Sequence, residues 1–202
     1  MGIPVLVLGS SGTGKTYSIK NFNVDEVGIF SVEKNRLPFR KQFKVLPNAT
    51  YKHIDKVLAE PKLKKYIVDD SQYLLVNEFF DRAKETGYQK FTDMALNFRN
   101  LIHKINKDLP DDVIVYFLHH TELDINGKAK AKTIGKMLDE KLTVEGLFDI
   151  VLMTETDGAN FNFRTRTTGY DSVKTPEEMF DKELIPNDLK AVDEAIRSYY
   201  EL

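Results

Sequence analysis

The stretch IPVLVLGSSGTGKT, residues 3–16, decides how the rest of this chain is read. Its first six residues are apolar and partly β-branched, the mark of a buried strand. Its last eight, GSSGTGKT, match G-x-x-x-x-G-K-[ST], with a strand before the motif and a helix expected after it. Glycines let the backbone turn so that successive N–H groups converge on phosphate oxygens, and a following helix points its positive end at the same place. On this reading Gly9, Ser10, Ser11, Gly12, Thr13, Gly14, Lys15, Thr16 and Tyr17 hold a nucleotide. Lys15 reaches the β- and γ-phosphates, and the Thr16 hydroxyl ligates Mg²⁺.

A phosphate loop of this type needs an acid at the end of a second buried strand to hold the magnesium shell. The run KYIVDD (65–70) supplies two, Asp69 and Asp70. Strand alternation sends one toward the nucleotide and the other to the opposite face, and the pattern does not say which. Hydrolysis further requires a group that orients or deprotonates water beside the γ-phosphate. VGIFSV (27–32) ends at Glu33, on the sheet edge where open α/β folds bind ligands. VIVYFLHH (113–120) ends at His119 and His120 on the same edge, and alternation allows only one of them to face the phosphates.

These runs, with FDIVLMTE (148–155), make five strands. Helical spacing separates them, over 72–86 and over 91–108, where Phe91, Ala95, Phe98, Leu101, Ile102 and Ile105 form a core-facing stripe. Strands alternating with helices imply a mostly parallel central sheet between helical layers, with right-handed crossovers. NFNFRTRTTG (160–169) alternates apolar and polar residues and is expected to return from DGAN as an antiparallel edge hairpin. TPEEMF (175–180) carries a helix-start pattern, and a last helix is expected from Asn187 or Asp188.

The chain has 202 residues, 42% hydrophobic and 30% charged, which suits one globular domain, 1–202. It has no cysteine, so disulfides, thiolate zinc sites and cysteine nucleophiles are excluded. Neither a signal-peptide pattern nor an apolar run long enough for a membrane span is visible, and a cytoplasmic protein with no membrane partner is expected. The net charge of −2 confines any nucleic-acid contact to a local patch.

In motif and order, GSSGTGKT, then IFSVEKN, IVDDS, YFLHH and the hairpin, the chain resembles the RecA-like P-loop ATPases, and more closely the compact phage-encoded members associated with single-strand annealing and recombination. The resemblance runs from Ile3 to about Pro176. It implies a three-layer αβα fold, ATP and Mg²⁺ as cofactors, Glu33 as the residue that activates water, and Asp70 ahead of Asp69 as the magnesium acid. It places a DNA-contacting loop at 121–146, where Lys128, Lys130, Lys132 and Lys136 are spaced to follow a phosphate backbone. That segment has no aromatic residue, so its binding is expected to be electrostatic. The family's larger recombinases carry additional domains for polymer formation, which are not expected here, and their strand-end sensor is usually an amide where this chain has histidine.

Arg166 and Lys174, ahead of Arg164, are candidates for a catalytic cation supplied by a neighbouring subunit, which makes a homo-oligomer expected. The implied partners are ATP or ADP, single-stranded DNA and a phage recombination or replication protein. A nucleotide-dependent switch or helicase-loader module would show the same motifs. A small-molecule kinase fits less well, because its lid would carry arginines and 121–146 has lysines only.

Overall fold

The computed structural model describes residues 1–33, 36–134 and 143–202. In chain order they form β1 (Ile3–Gly9), β2 (Gly28–Ser31), β3 (Val45–Pro47), α1 (Tyr51–Leu58), β4 (Lys65–Asp69), α2 (Tyr73–Asp81) and α3 (Gln89–Asp108). β5 (Ile114–Leu123), β6 (Ala129–Ala131), β7 (Ile150–Thr156), β8 (Phe161–Arg164), β9 (Leu184–Pro186) and α4 (Leu189–Tyr200) follow.

β1 is central because Val5, Leu6, Val7 and Leu8 are apolar on both faces, and all four are fully buried. β5 and β7 flank it in parallel, and the sheet runs β3-β2-β4-β5-β1-β7-β8-β9. From β3 to β7 every pairing is parallel. β8 is antiparallel to β7, β9 to β8, and β6 to the far end of β5. The result is a mostly parallel mixed sheet with helices on both faces. On one face Leu6, Leu8 and Phe117 pack with Ile54 of α1, Leu75 of α2 and Phe98 of α3. On the other, Val5, Val7 and Leu118 pack with Ile19, Phe22 and Val192 and Ile196 of α4.

Helix ends follow local chemistry. α3 stops at Leu109, whose extended backbone precedes Pro110, where a continued helix would clash with the proline ring. α4 starts at Asp188, whose carboxylate accepts from the backbone N–H groups of Lys190 and Ala191. Among the described residues no helix is long and apolar enough to cross a membrane.

Several expectations are corrected. The helix after the phosphate loop is a six-residue 3-10 turn, Thr16–Asn21, because Phe22 turns extended to bury its ring. Its dipole is therefore short. The β7–β8 hairpin turns at 157–160 as expected but is not the edge, since β9 pairs outside β8. Residues 175–180 form no helix. Thr175 donates to the Thr165 carbonyl instead of capping, Glu178 is left-handed at φ 65°, and Met179 and Phe180 turn into the core, so tertiary burial overrides the local pattern. β5 runs three residues past His120 and pairs with β6, so 121–131 is largely a hairpin rather than a loop.

Candidate functional site

The glycine-rich loop leaves β1 at Gly9 and is shaped by glycine at two points. Gly12 and Gly14 have φ of 81° and 94°, which L-residues rarely adopt. Gly9 has a different constraint, since a methyl group there would lie 1.9 Å from Thr154 Oγ1. Thr154, on β7, is bonded to the Thr13 hydroxyl at 2.6 Å and donates to the Leu8 carbonyl at 3.2 Å. It buttresses the loop from the neighbouring strand. Ser10 is bonded similarly to Thr121 of β5 at 3.2 Å.

Lys15 lies back across the loop, donating to the carbonyls of Gly9 at 2.7 Å and Ser10 at 2.9 Å. Burial lowers its ammonium from the ordinary 10.5 to about 8, against the attraction of Asp70 and Asp69. Thr16 Oγ1 donates to Asp69 Oδ1 at 2.9 Å. Asp69 is buried at the end of β4, and burial, reinforced by the charge of Asp70, raises its carboxyl to about 6 against the Thr16 hydrogen bond and Lys15. The acid beside the motif threonine is thus Asp69, where the resemblance ranked Asp70 first.

Asp70 is not turned to the far face. Its backbone is left-handed at φ 58°, which breaks strand alternation and brings its carboxylate 3.3 Å from His120 Nε2. Both line a cleft of about 850 Å³ that opens over the phosphate loop. Gln72, Tyr73, Pro38 and Lys132 line it as well, as do Tyr17 and Phe161.

Of the two histidines, His119 is the one that faces away from the cleft. It is fully buried against Phe98, with Nδ1 2.9 Å from the Ser71 hydroxyl and Nε2 2.8 Å from the Lys132 carbonyl. A carbonyl only accepts, so Nε2 carries a proton, and the pKa lowered by burial keeps the ring neutral near pH 7. Burial lowers its pKa to about 4, the Lys132 carbonyl opposing. His119 therefore ties the end of β5 to the base of the hairpin, while His120 faces the cleft.

Glu33 is half-buried and does not line the cleft; its carboxylate accepts from Asn77 Nδ2 of α2 at 3.0 Å. Arg164 pairs with Glu155 across the β7–β8 hairpin. Arg166 is exposed and donates to the Phe180 carbonyl at 3.4 Å, and Lys174 is exposed beyond a backbone bridge to Val151. None of these three cations lines the cleft.

The expected DNA lysines divide. Lys128 is exposed at the hairpin turn, Lys130 pairs with Glu122 at 3.4 Å, Lys132 lines the cleft, and Lys136 lies outside the described residues. Beside them the hairpin exposes Leu123 and Ile125, and the Ala129 N–H donates to the Tyr170 carbonyl, which brings an exposed tyrosine to a segment that has none of its own.

Sequence reasoning missed Thr154, Phe161 and Tyr73. Thr154 and Phe161 lie in strands that were read for their pairing and, in the second, for their cations, and no local motif marks any of the three. Among the described residues no group of three or more His, Asp or Glu side chains gathers as a metal site. The Thr16–Asp69 pair is nevertheless the donor set Mg²⁺ uses when phosphate oxygens and water supply its other ligands. No protein-family model matches this chain, and no curated protein matches it significantly.

Proposed function

We propose that this protein is a RecA-like P-loop ATPase that binds ATP with Mg²⁺ at residues 9–17 and hydrolyses it, serving a phage DNA recombination or single-strand annealing system. The observation that carries this reading is the convergence of a buried lysine and a threonine–aspartate pair on one glycine-shaped loop. Lys15, with a proton held weakly for a lysine, gains a counter-charge from a triphosphate that the loop carbonyls do not supply. Thr16 and Asp69 hold the magnesium shell. Bound Mg²⁺ supplies a Lewis acid that neutralises charge on the β- and γ-phosphates.

The strand order supports the same reading. β5, with its histidine end, lies between the phosphate-loop strand β1 and the acid-bearing strand β4. On this reading His120 and Asp70, paired on the cleft wall, orient the water that attacks the γ-phosphate. Glu33, bonded to Asn77 and off the cleft, takes up the role the resemblance gives it by turning toward the cleft. Arg166 and Lys174, exposed and off their own cleft, serve the site of a neighbouring subunit.

The His119–Lys132 bond favours a second reading, a nucleotide-dependent switch, because it links the cleft wall to the 121–131 hairpin, the element proposed to meet single-stranded DNA. ATP turnover measured with and without single-stranded DNA, across protein concentration, separates the two. An ATPase of the proposed kind turns over faster with DNA and at higher concentration. A switch binds ATP and shows the same slow rate throughout.

A further inference from the structure

The two sides of the cleft differ in chemistry. On the β4–β5 side of β1 stand Asp70, Gln72 and His120, which are polar; on the β7–β8 side stand Tyr17 and Phe161, which are aromatic. The two rings lie 6.0 Å apart at 45°. Tyr17 is held by Lys20, whose Nζ donates to its hydroxyl at 2.7 Å and sits 3.9 Å from its ring centre. Phe161 is held against the loop, where a methyl at Gly14 would lie 2.8 Å from its Cδ1.

Directly behind this pair lies Asn187. Its backbone N–H donates to the Phe161 carbonyl at 3.1 Å, and its Nδ2 would be 3.4 Å from the same methyl at Gly14. The residue is 7% exposed, yet both Nδ2 and Oδ1 are buried without a hydrogen-bond partner among the described residues. A buried amide with neither group paired is costly, and native proteins rarely keep one without a use.

We propose that Tyr17, Phe161 and Asn187 form a nucleobase site, in which an adenine stacks on the aromatic pair and presents its edge to the Asn187 amide. This rests on the reading of residues 9–17 as a triphosphate loop, and it names what the other end of that ligand meets. A triphosphate seated on Lys15 and Thr16, with its terminal phosphate toward Asp70 and His120, leaves its nucleoside on the opposite side of β1, where the polar wall gives way to rings. An aromatic face accepts any base through its π surface. An amide adds selection, since its carbonyl accepts from the adenine amino group while its NH₂ donates to a ring nitrogen. Phe161 must shift for the base edge to reach Asn187, and its position at the start of β8, next to the 157–160 turn, leaves it half-buried rather than locked in the core.

The test compares the binding of Mg–ATP, Mg–GTP and inorganic tripolyphosphate by calorimetry, on the wild-type chain and on Phe161→Leu and Asn187→Leu. Tripolyphosphate reports on the loop alone and so also reports whether each variant is folded. The wild type should bind ATP about tenfold or more tighter than tripolyphosphate. Phe161→Leu should remove most of that advantage, and Asn187→Leu should narrow the preference for ATP over GTP, both with tripolyphosphate affinity within about twofold of wild type. Equal binding of ATP and tripolyphosphate by the wild type, or a parallel loss of both in Phe161→Leu, overturns the base site and leaves the phosphate loop standing. Failure of the wild type to bind either ligand overturns the phosphate loop itself.

Discussion

Thr16 Oγ1 and Asp69 Oδ1 meet at 2.9 Å, bringing the end of the glycine-rich loop onto the end of β4 across the intervening strand β5. This contact distinguishes the two adjacent aspartates. Asp69 continues the strand, is buried, and shares its carboxylate with the loop; Asp70 leaves the strand in a left-handed turn toward His120.

Asp69→Asn should therefore abolish the dependence of nucleotide binding on Mg²⁺, lowering affinity in Mg²⁺ by about tenfold or more while leaving the weaker Mg²⁺-free binding in place. Asp70→Asn should keep the Mg²⁺ dependence and lower turnover instead. Titrating labelled ATP with and without Mg²⁺, beside steady-state hydrolysis, checks both. A loss of Mg²⁺ dependence in Asp70→Asn alone would reassign the metal acid.

Lys15 gives a pH signature. Its folded pKa, lowered by burial to about 8, means that it loses its proton as pH rises through that value, while an exposed lysine keeps its charge to beyond 10. Nucleotide affinity should accordingly fall between pH 7 and 9 in the wild type. Lys15→Arg, whose guanidinium stays charged, should bind more weakly at pH 7 and show no such fall. The same shift acts on stability in the opposite sense. Above about pH 8 the unfolded chain binds more protons at this group than the folded one, so stability gains from it as pH rises toward 10.5.

His119 should make the protein acid-sensitive. Its folded pKa of about 4 lies below the ordinary 6.5, so between these values the unfolded chain binds the extra proton and stability falls as pH drops. Asp69, raised to about 6, acts oppositely: the folded chain holds its proton more firmly, and stability from this group is lost as pH rises from about 4 to 6. Melting His119→Gln beside the wild type at pH 7.5 and pH 5 isolates the histidine. The variant should be the less stable of the two at pH 7.5 and should lose less than the wild type on acidification.

The sheet and the loop were legible because their signals are local. A run such as IPVLVL has no polar face to expose, and GSSGTGKT encodes its turn in its own glycines. The phase of the adjacent acids and histidines was not legible, because alternation says that neighbours oppose each other without saying which faces the ligand; for the acids the left-handed Asp70 broke even that rule. β3 and β9, three residues each, are too short to carry a period. Thr154 was beyond reach for another reason, since its bond to Thr13 spans 141 positions and neither residue announces the other.

That long-range support makes Gly9 a sharp test of how the loop is held. Gly9→Ala places a methyl 1.9 Å from Thr154 Oγ1 and 2.7 Å from Thr13 Oγ1, and relief requires the loop or β7 to move. The substitution should cost about 1–3 kcal/mol of stability, as overpacked sites do, and should weaken nucleotide binding because the displaced loop no longer aims its N–H groups together. Adding Thr154→Ala removes the nearest atom and should recover part of both losses, although it also removes the Thr13 and Leu8 hydrogen bonds. Denaturant unfolding and nucleotide titration of the two single variants and the double variant measure the coupling. Additive losses would show that Thr154 does not set the position of Gly9.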